Sequence, residues 1–435
     1  MSVTNFFANA ARRLDLMVPG YFPEAKHNHY KDFSWPQTLT FRQLHSMYRR
    51  NGLASAGVNK TILKTWQDTP EIWETAKAKE SPLEKDIRQR FEDLMIWQAL
   101  AEADRRAMVG GYAGVILRFR DDKRFDQPVD SVRGGLDGLA EVIPAWGGQG
   151  AQLEVAEWVT DERSEDYGKP KMFRFNEAAV GKGQNKVRQF MVHPDRVLIW
   201  SKDGTIHCES DLEPGYNDLL DAEKVKGAGG EGFYKSARGN PVLEADKEMK
   251  WADMAKAMGV PVGELADKMN EQVEDFQKGF DKLLMVQGMQ AKTLPVTLPT
   301  GDTYFNAAVN SFAASLLIPV KILLGSQTGE RASTEDATEW NLVNNARRVN
   351  FAKPRIRALL NRLERVEIIP ERDWAINWAD LTDASKDKKI ERAGKMADIN
   401  KQQQDEPVWR AAEIRAAAGD EGVPPNALSD DGDDL

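Results

Sequence analysis

The chain has 435 residues, enough for about three compact units at roughly 150 residues each. Its 59 Lys+Arg against 68 Asp+Glu, a net charge of −9, exclude tight wrapping of a nucleic acid, which needs a surplus of cations to neutralise phosphate, but leave a DNA conduit open. The single cysteine, Cys208, excludes an internal disulfide and suits a reducing compartment.

In the opening residues, Arg12 and Arg13 follow a short apolar stretch. A secretory signal has the reverse order, so a mature N-terminus is expected. Residues 1–40 mix Phe6, Phe7, Tyr21, Phe22, Tyr30, Phe33 and Trp35 with Pro, Asn and His without a period. This reads as an irregular arm whose aromatics need a surface, and a second subunit is one candidate. From 40 to 78 apolar residues recur at helical spacing. Ser81 as N-cap and Pro82 in the first turn open a helix that the stripe Leu83, Ile87, Phe91, Leu94, Met95 and Leu100 carries to about Met108. Gly110 and Gly111 end it.

Short β-branched or aromatic runs follow at 112–119, 139–143, 153–159, 172–175 and 197–200, separated by Gly, Pro and Asp. They predict an antiparallel β region in an α-rich chain, hence an α+β fold. Helical character returns at 217–226, pauses at Gly227, Gly229, Gly230 and Gly232, and resumes over 250–279. Residues 283–286 and 293–298 read as a strand pair. The apolar stretch 302–317 reads as a helix stopped by Pro319, and no run reaches the roughly 18 apolar residues of a membrane span. After a loop at 325–332, Ser333 can cap a long helix to about Arg365. Pro354 inside it removes one backbone bond near Asn350 and predicts a kink. Beyond residue 383 comes a charged, helix-compatible stretch, and the acidic end has the composition of a disordered tail. There is no internal repeat.

Few patterns carry chemistry. The string from Gly227 to Gly232 matches G-x-G-x-x-G, but a dinucleotide site needs a strand before it, and helix-like sequence precedes it here. A hinge or a close backbone contact is the better reading. The segment Gly181-Lys182-Gly183 lacks the rest of a phosphate-binding loop. His27 and His29 would face one way only on a strand, and no Cys nearby completes a zinc site. No G-x-S-x-G, H-E-x-x-H or S-x-x-K frame is present, so no catalytic residue, metal ligand or cofactor is assigned. Charge is more informative. Between 337 and 365 stand seven bases (Arg347, Arg348, Lys353, Arg355, Arg357, Arg362, Arg365) against Glu339 and Glu364, a net +5 in an acidic chain. Such a helix either attracts polyanion or pairs with acids on neighbouring elements, and the acidic remainder favours pairing. From 202 to 231 three bases face eight acids, a net −5, suited to a surface that must not grip DNA.

At Leu317-Ile318-Pro319-Val320-Lys321-Ile322-Leu323-Leu324-Gly325, then Gly329 and Ser333-Thr334-Glu335-Asp336, the sequence resembles the portal proteins of tailed bacteriophages. Their pattern is an apolar helix ending in Ile/Val-Pro, then L-x-G, a Gly-containing loop and a polar helix start. Tyr48-Arg49-Arg50-Asn51-Gly52-Leu53, His193-Pro194-Asp195-Arg196-Val197-Leu198-Ile199 and Leu283-Leu284-Met285-Val286 fall in the family's order. The likeness covers roughly residues 40 to 370.

The resemblance implies an α+β portal fold: an N-terminal arm (1–40), a wing with helices and the β region (41–209), stem helices (210–238 and 300–323) bracketing a small α/β clip (239–299), a tunnel loop (324–335), a long kinked wing helix with its return segment (336–383), and a helical crown with an acidic tail (384–435). It further implies a homo-oligomeric ring, a dodecamer, at one vertex of the virion capsid, assembled in the host bacterial cytoplasm without a membrane. Double-stranded DNA would pass through it during packaging and ejection. Large terminase, a head-tail adaptor, and major capsid and scaffolding proteins would be its partners, and no cofactor is needed. Lys321, Gln327, Thr328 and Arg331 would touch DNA weakly from the tunnel loop, with Arg347, Arg348, Pro354 and Arg355 on the channel and wing helix. The arm and the apolar 302–324 stretch are candidates for the two different surfaces that a closing ring requires. Replacing Arg331 by alanine is expected to leave rings intact while lowering DNA packaging or retention, and broken rings would mark its role as structural. The other readings are a soluble enzyme with an unrecognised carboxylate site and a monomeric nucleic-acid binder led by the basic helix.

Overall fold

The structure, a computed structural model, describes residues 29–74, 80–177, 188–238, 241–245, 250–257, 259–268, 271, 289–293, 301–325, 330–382, 386–402 and 408–419. In chain order these form α1 (Phe41–Arg50), α2 (Gly52–Thr65), β1 (Glu71–Trp73), α3 (Pro82–Asp93), α4 (Ile96–Gly110), β2 (Ala113–Phe119), β3 (Leu139–Trp146), β4 (Leu153–Trp158), β5 (Pro170–Asn176), β6 (Gln189–Val192) and β7 (Val197–Trp200). Then come α5 (Tyr216–Arg238), β8 (Pro241–Ala245), α6 (Trp251–Ala257), β9 (Met289–Thr293), α7 (Asp302–Ser315), α8 (Val320–Leu324), α9 (Glu330–Arg347), a π-turn (Arg348–Ala352), α10 (Lys353–Arg365), β10 (Ala375–Asn377), α11 (Lys386–Gln402) and α12 (Ala411–Ala417). The chain is thus mixed helix and sheet, as predicted, and every strand pair among the described residues is antiparallel. None of the described helices is long and apolar enough to cross a membrane.

The chain divides into two compact units, one of residues 1–58, 108–111 and 209–325, the other of 59–107, 112–208 and 326–435. In the first, α5 and α7 pack on each other, with Ser311 Oγ donating to Asp218 Oδ2 at 2.8 Å. The packing is close because Gly215 has no side chain: a Cβ there would stand 2.6 Å from the ring of Phe312, which is fully buried. Asn51 links two elements. Its Oδ1 accepts from the Leu53 and Ala54 N–H groups and opens α2, while its Nδ2 donates to Glu223 on α5. The arm residues Tyr30, Phe33 and Trp35 find their surface on α5 of the same chain: Trp35 Nε1 donates to Asp221 at 3.1 Å, and the Lys224 ammonium lies over the Phe33 ring. Residues 1–28 lie outside the described residues.

Two sequence expectations change here. Helix α5 does not pause at the glycine cluster but runs through it to Arg238. Its first half is anchored by buried Leu219 and Ala222, and extending a nucleated helix through glycines costs only propensity, about 1 kcal/mol each. A Cβ at Gly227, Gly229 or Gly230 would meet nothing within 4 Å, so no other backbone among the described residues approaches them. The strand pair is also different: β9 pairs with β8, while 283–286 and 294–298 lie outside the described residues.

The second unit is built around β2, the middle strand of the sheet β3-β2-β7. Ala113, Val115, Leu117 and Phe119 point into one core with α3, α4 and α10, and Ile116 points into a second core under the sheet β4-β5-β6. Burial on both faces explains why β2 reads as a continuous apolar run rather than an alternating one. Gly114 faces the second core, where a Cβ would fall 2.0 Å from Leu153 Cδ2, so β4 approaches only because that side chain is missing. Strands β1 and β10 make a separate ribbon beside α3.

Candidate functional site

Between α7 and α9 the chain turns twice. Helix α7 ends in a Schellman arrangement: the Leu317 N–H donates to Ala314 O at 3.0 Å and the Ile318 N–H to Ala313 O at 2.9 Å, with Leu317 at φ 56°. Pro319 precedes α8, whose end is closed by Gly325 at φ 78° donating its N–H to Lys321 O at 2.8 Å. Proline cannot continue α7 and glycine takes the left-handed position without strain, so the Pro-to-Gly spacing sets the length of this short helix. Lys321 lies on α8, half-buried. Gln327 and Thr328 lie outside the described residues. Arg331 belongs to α9, which begins at Glu330 rather than after a Ser333 cap.

Downstream, α9 passes into the π-turn and then α10. The Lys353 N–H donates to Arg348 O, five residues back. Pro354 accounts for it: lacking an N–H and crowding the Asn350 carbonyl, it bars the regular ladder at that point.

Arg347 and Arg348 flank the start of this turn and diverge. Arg347 forks onto Asp104, with Nη1 to Oδ2 at 2.7 Å and Nη2 to Oδ1, and also donates to Thr65 Oγ1 at 3.1 Å. Asp104 is fully buried and accepts from Trp66 Nε1 as well, at 2.8 Å. Arg348 is 1% exposed. It donates to Thr65 O and Ala379 O, each at 2.7 Å, pairs with Asp68, and lies 4.7 Å from the Trp378 ring centroid. Burial lowers its pKa, and Asp68 works the other way. Arg355 rests on Gly204, where a side chain would collide with its guanidinium.

Arg362 donates to the carbonyls of Pro194 and Val197, and burial followed by the Arg365 charge pushes its pKa down to about 10. Arg365 pairs with Asp195 at 2.5 Å. Four of the seven bases on this helix are therefore held by acids or carbonyls of the same unit, which is the pairing that the acidic remainder of the chain favoured. The signal for Asp104 was present in the sequence: one carboxylate on the apolar stripe of Leu100, Ala103 and Ala107.

His193 opens the turn at 194–196, its Nδ1 accepting from the Asp195 N–H at 3.2 Å. Burial lowers its pKa from 6.5; the Arg365, Arg196 and Arg362 charges act in the same direction and Asp195 opposes them. The folded chain then binds fewer protons than the unfolded one. This stabilisation is full above about pH 6.5 and is lost as the pH falls towards the lowered folded value. The urea midpoint is expected to drop on acidification through that window, and less steeply in a His193→Gln chain; parallel pH profiles would contradict it.

A cavity of about 570 Å³ lies beside β1, lined among others by Glu71, Trp73, Glu80, Glu84, Phe91, Glu92 and Trp97. Three of its carboxylates, Glu80, Glu84 and Glu92, are engaged in structure. Glu84 accepts from the backbone N–H groups of Glu74 and Ser81, each at 2.6 Å, which caps α3. Glu80 and Glu92 flank Arg88, whose hydrogen bond lowers the Glu80 pKa. A general acid at neutral pH needs the opposite shift. Among the described residues no three His, Cys, Asp or Glu side chains gather as a metal site. His29 begins a single helical turn (His29–Asp32), not the strand that a shared site with His27 requires, and His27 lies outside the described residues.

A family model described as phage portal protein matches residues 42–402. No curated protein matches the chain. Among solved structures, it is similar to the neck of an empty gene transfer agent particle computed with C6 symmetry, with TM-score 0.48 and 14% identity over 87% of this chain and 94% of that one. The neck of the native particle computed with C12 symmetry gives 0.46 and 13%, over 88% and 94%. The virion of the native particle gives 0.45 and 13%, over 94% and 98%.

Proposed function

The chain belongs to the phage portal protein family, and we propose that it is the subunit of a ring of twelve copies forming the DNA channel at one capsid vertex. The family match across residues 42–402 carries this reading. In it the ring nucleates the head in the host cytoplasm, passes double-stranded DNA during packaging and ejection, and docks large terminase and the head-tail adaptor in turn. It hydrolyses nothing itself.

Helices α5 and α7 supply the stem, the β8–β9 pair belongs to the clip, and the turns from Pro319 into α9 form the tunnel loop, with α11 and α12 in the crown. Lys321, Gln327, Thr328 and Arg331 are the loop's contacts to passing DNA in this reading, few enough to let the duplex slide, since each strong phosphate contact would hold it. The net −5 of residues 202–231 suits the same conduit. Arg347 and Arg348 act differently: spent on Asp104 and Asp68, they hold the long helix in the wing rather than reach for phosphate. Pro354 sets the π-turn, and Arg355 packs against Gly204.

Sedimentation of the purified chain tests the assembly. The expected mass is about twelve times 48.8 kDa. A species of one subunit's mass at all concentrations would contradict it.

A further inference from the structure

Four non-glycine residues among those described hold a positive φ: Ser34, Met95, Leu317 and Glu367. Leu317 stands out by its surroundings. At the end of a Schellman turn the left-handed residue is usually glycine, because a Cβ is penalised in that conformation. Leucine carries the penalty here, yet its side chain is 67% exposed, so the chain's own core recovers little for it. Ile318, next in sequence, is 3% exposed and does the local packing. Glycine at 317 would relieve the backbone and remove apolar surface from water, so nothing among the described residues accounts for a leucine at this position.

The corner is also depleted of charge. From residue 303 to 329 the only charged side chain is Lys321, in a chain that is 29% charged, and Leu324 is 52% exposed close by in sequence. Charge depletion with protruding apolar groups marks the core of a permanent assembly more than a transient polar docking face. We propose that Leu317 is an anchor between subunits, seated on a different surface of a second copy of this chain, as a closing heterologous ring requires. The assignment rests on the ring reading above and names a residue that makes the ring.

The test compares Leu317→Gly, Leu317→Met and Met95→Gly with the parent chain by sedimentation over a dilution series and by thermal unfolding. Met95 shares the left-handed backbone (φ 50°) and is 63% exposed, but Glu92 and Asp93 stand beside it in sequence. Leu317→Gly is expected to raise the unfolding temperature of the dissociated chain by about 2–4 °C and the concentration for half-assembly by about tenfold or more. Leu317→Met should assemble like the parent, and Met95→Gly should gain stability without losing assembly.

Rings from Leu317→Gly at the parent's concentration would overturn the proposal. So would a lower unfolding temperature for that variant, which would give Leu317 a role inside its own chain, or an equal loss of assembly in Met95→Gly. A parent chain that never assembles contradicts the ring reading itself, whereas a parent and a Leu317→Gly chain that assemble alike contradict this inference alone.

Discussion

Replacing Asp104 by alanine is expected to destabilise the chain by about 3–5 kcal/mol, the usual cost of removing one partner of a buried ion pair. Asp104 is fully buried and accepts from Trp66 Nε1 and from both terminal nitrogens of Arg347. Without it, the guanidinium, whose side chain is 14% exposed, is left without its carboxylate, and the indole N–H loses its acceptor. The loss exceeds the net worth of the pair, because most of it is the desolvation of what remains. Removing both partners together, as Asp104→Leu with Arg347→Met, should therefore cost less than Asp104→Ala alone. Urea unfolding followed by tryptophan fluorescence measures both. An Asp104→Ala loss below about 1 kcal/mol, the range of exposed pairs, would show that water reaches the pair.

The second large effect belongs to the other unit. Phe312 is fully buried at the contact of α7 with α5, and its ring occupies space that a side chain at Gly215 would need: a Cβ there would stand 2.6 Å from it. Phe312→Ala should cost about 3–5 kcal/mol through lost burial and the cavity left behind. Gly215→Ala alone should cost about 1–3 kcal/mol by overpacking. The two changes share one space, so the double variant should cost less than their sum. Strict additivity, measured by chemical unfolding of the four chains, would mean that the ring and the glycine do not meet.

These two sites also show what local sequence reveals and what it hides. The start of α3 was legible because its signals lie within four residues: Ser81 Oγ accepts from the Glu84 N–H at 3.2 Å, and Pro82 sits in the first turn. Five of the strands were legible for a similar reason, since alternation or a short apolar run between turn residues is a local property. The π-turn was half legible. Pro354 marked the position, but a proline alone does not say that the ladder widens to an i−5 bond instead of breaking.

The partner of Arg347 was out of reach in another sense, because Asp104 lies 243 positions away. The basic helix could be counted, but the carboxylate that holds it had to be found in space. Helix α5 failed the local reading for the opposite reason: four glycines are a strong local break signal, and packing of Leu219 and Ala222 overrode it. Of the tunnel-loop candidates, Lys321 falls on α8, the short helix after Pro319, whereas Arg331, read from the sequence as part of a loop, lies in α9, because that helix starts at Glu330, before the Ser333 cap the sequence offered. The chemistry of that loop was legible only through the family resemblance, because a channel wall asks for scattered, weak groups rather than a pattern.

End-on electron-microscope images of the purified chain test the central claim most directly. The account predicts uniform closed rings with an axial opening wide enough to admit duplex DNA. Particles the size of one chain, or rings whose centre is filled by protein, would contradict it.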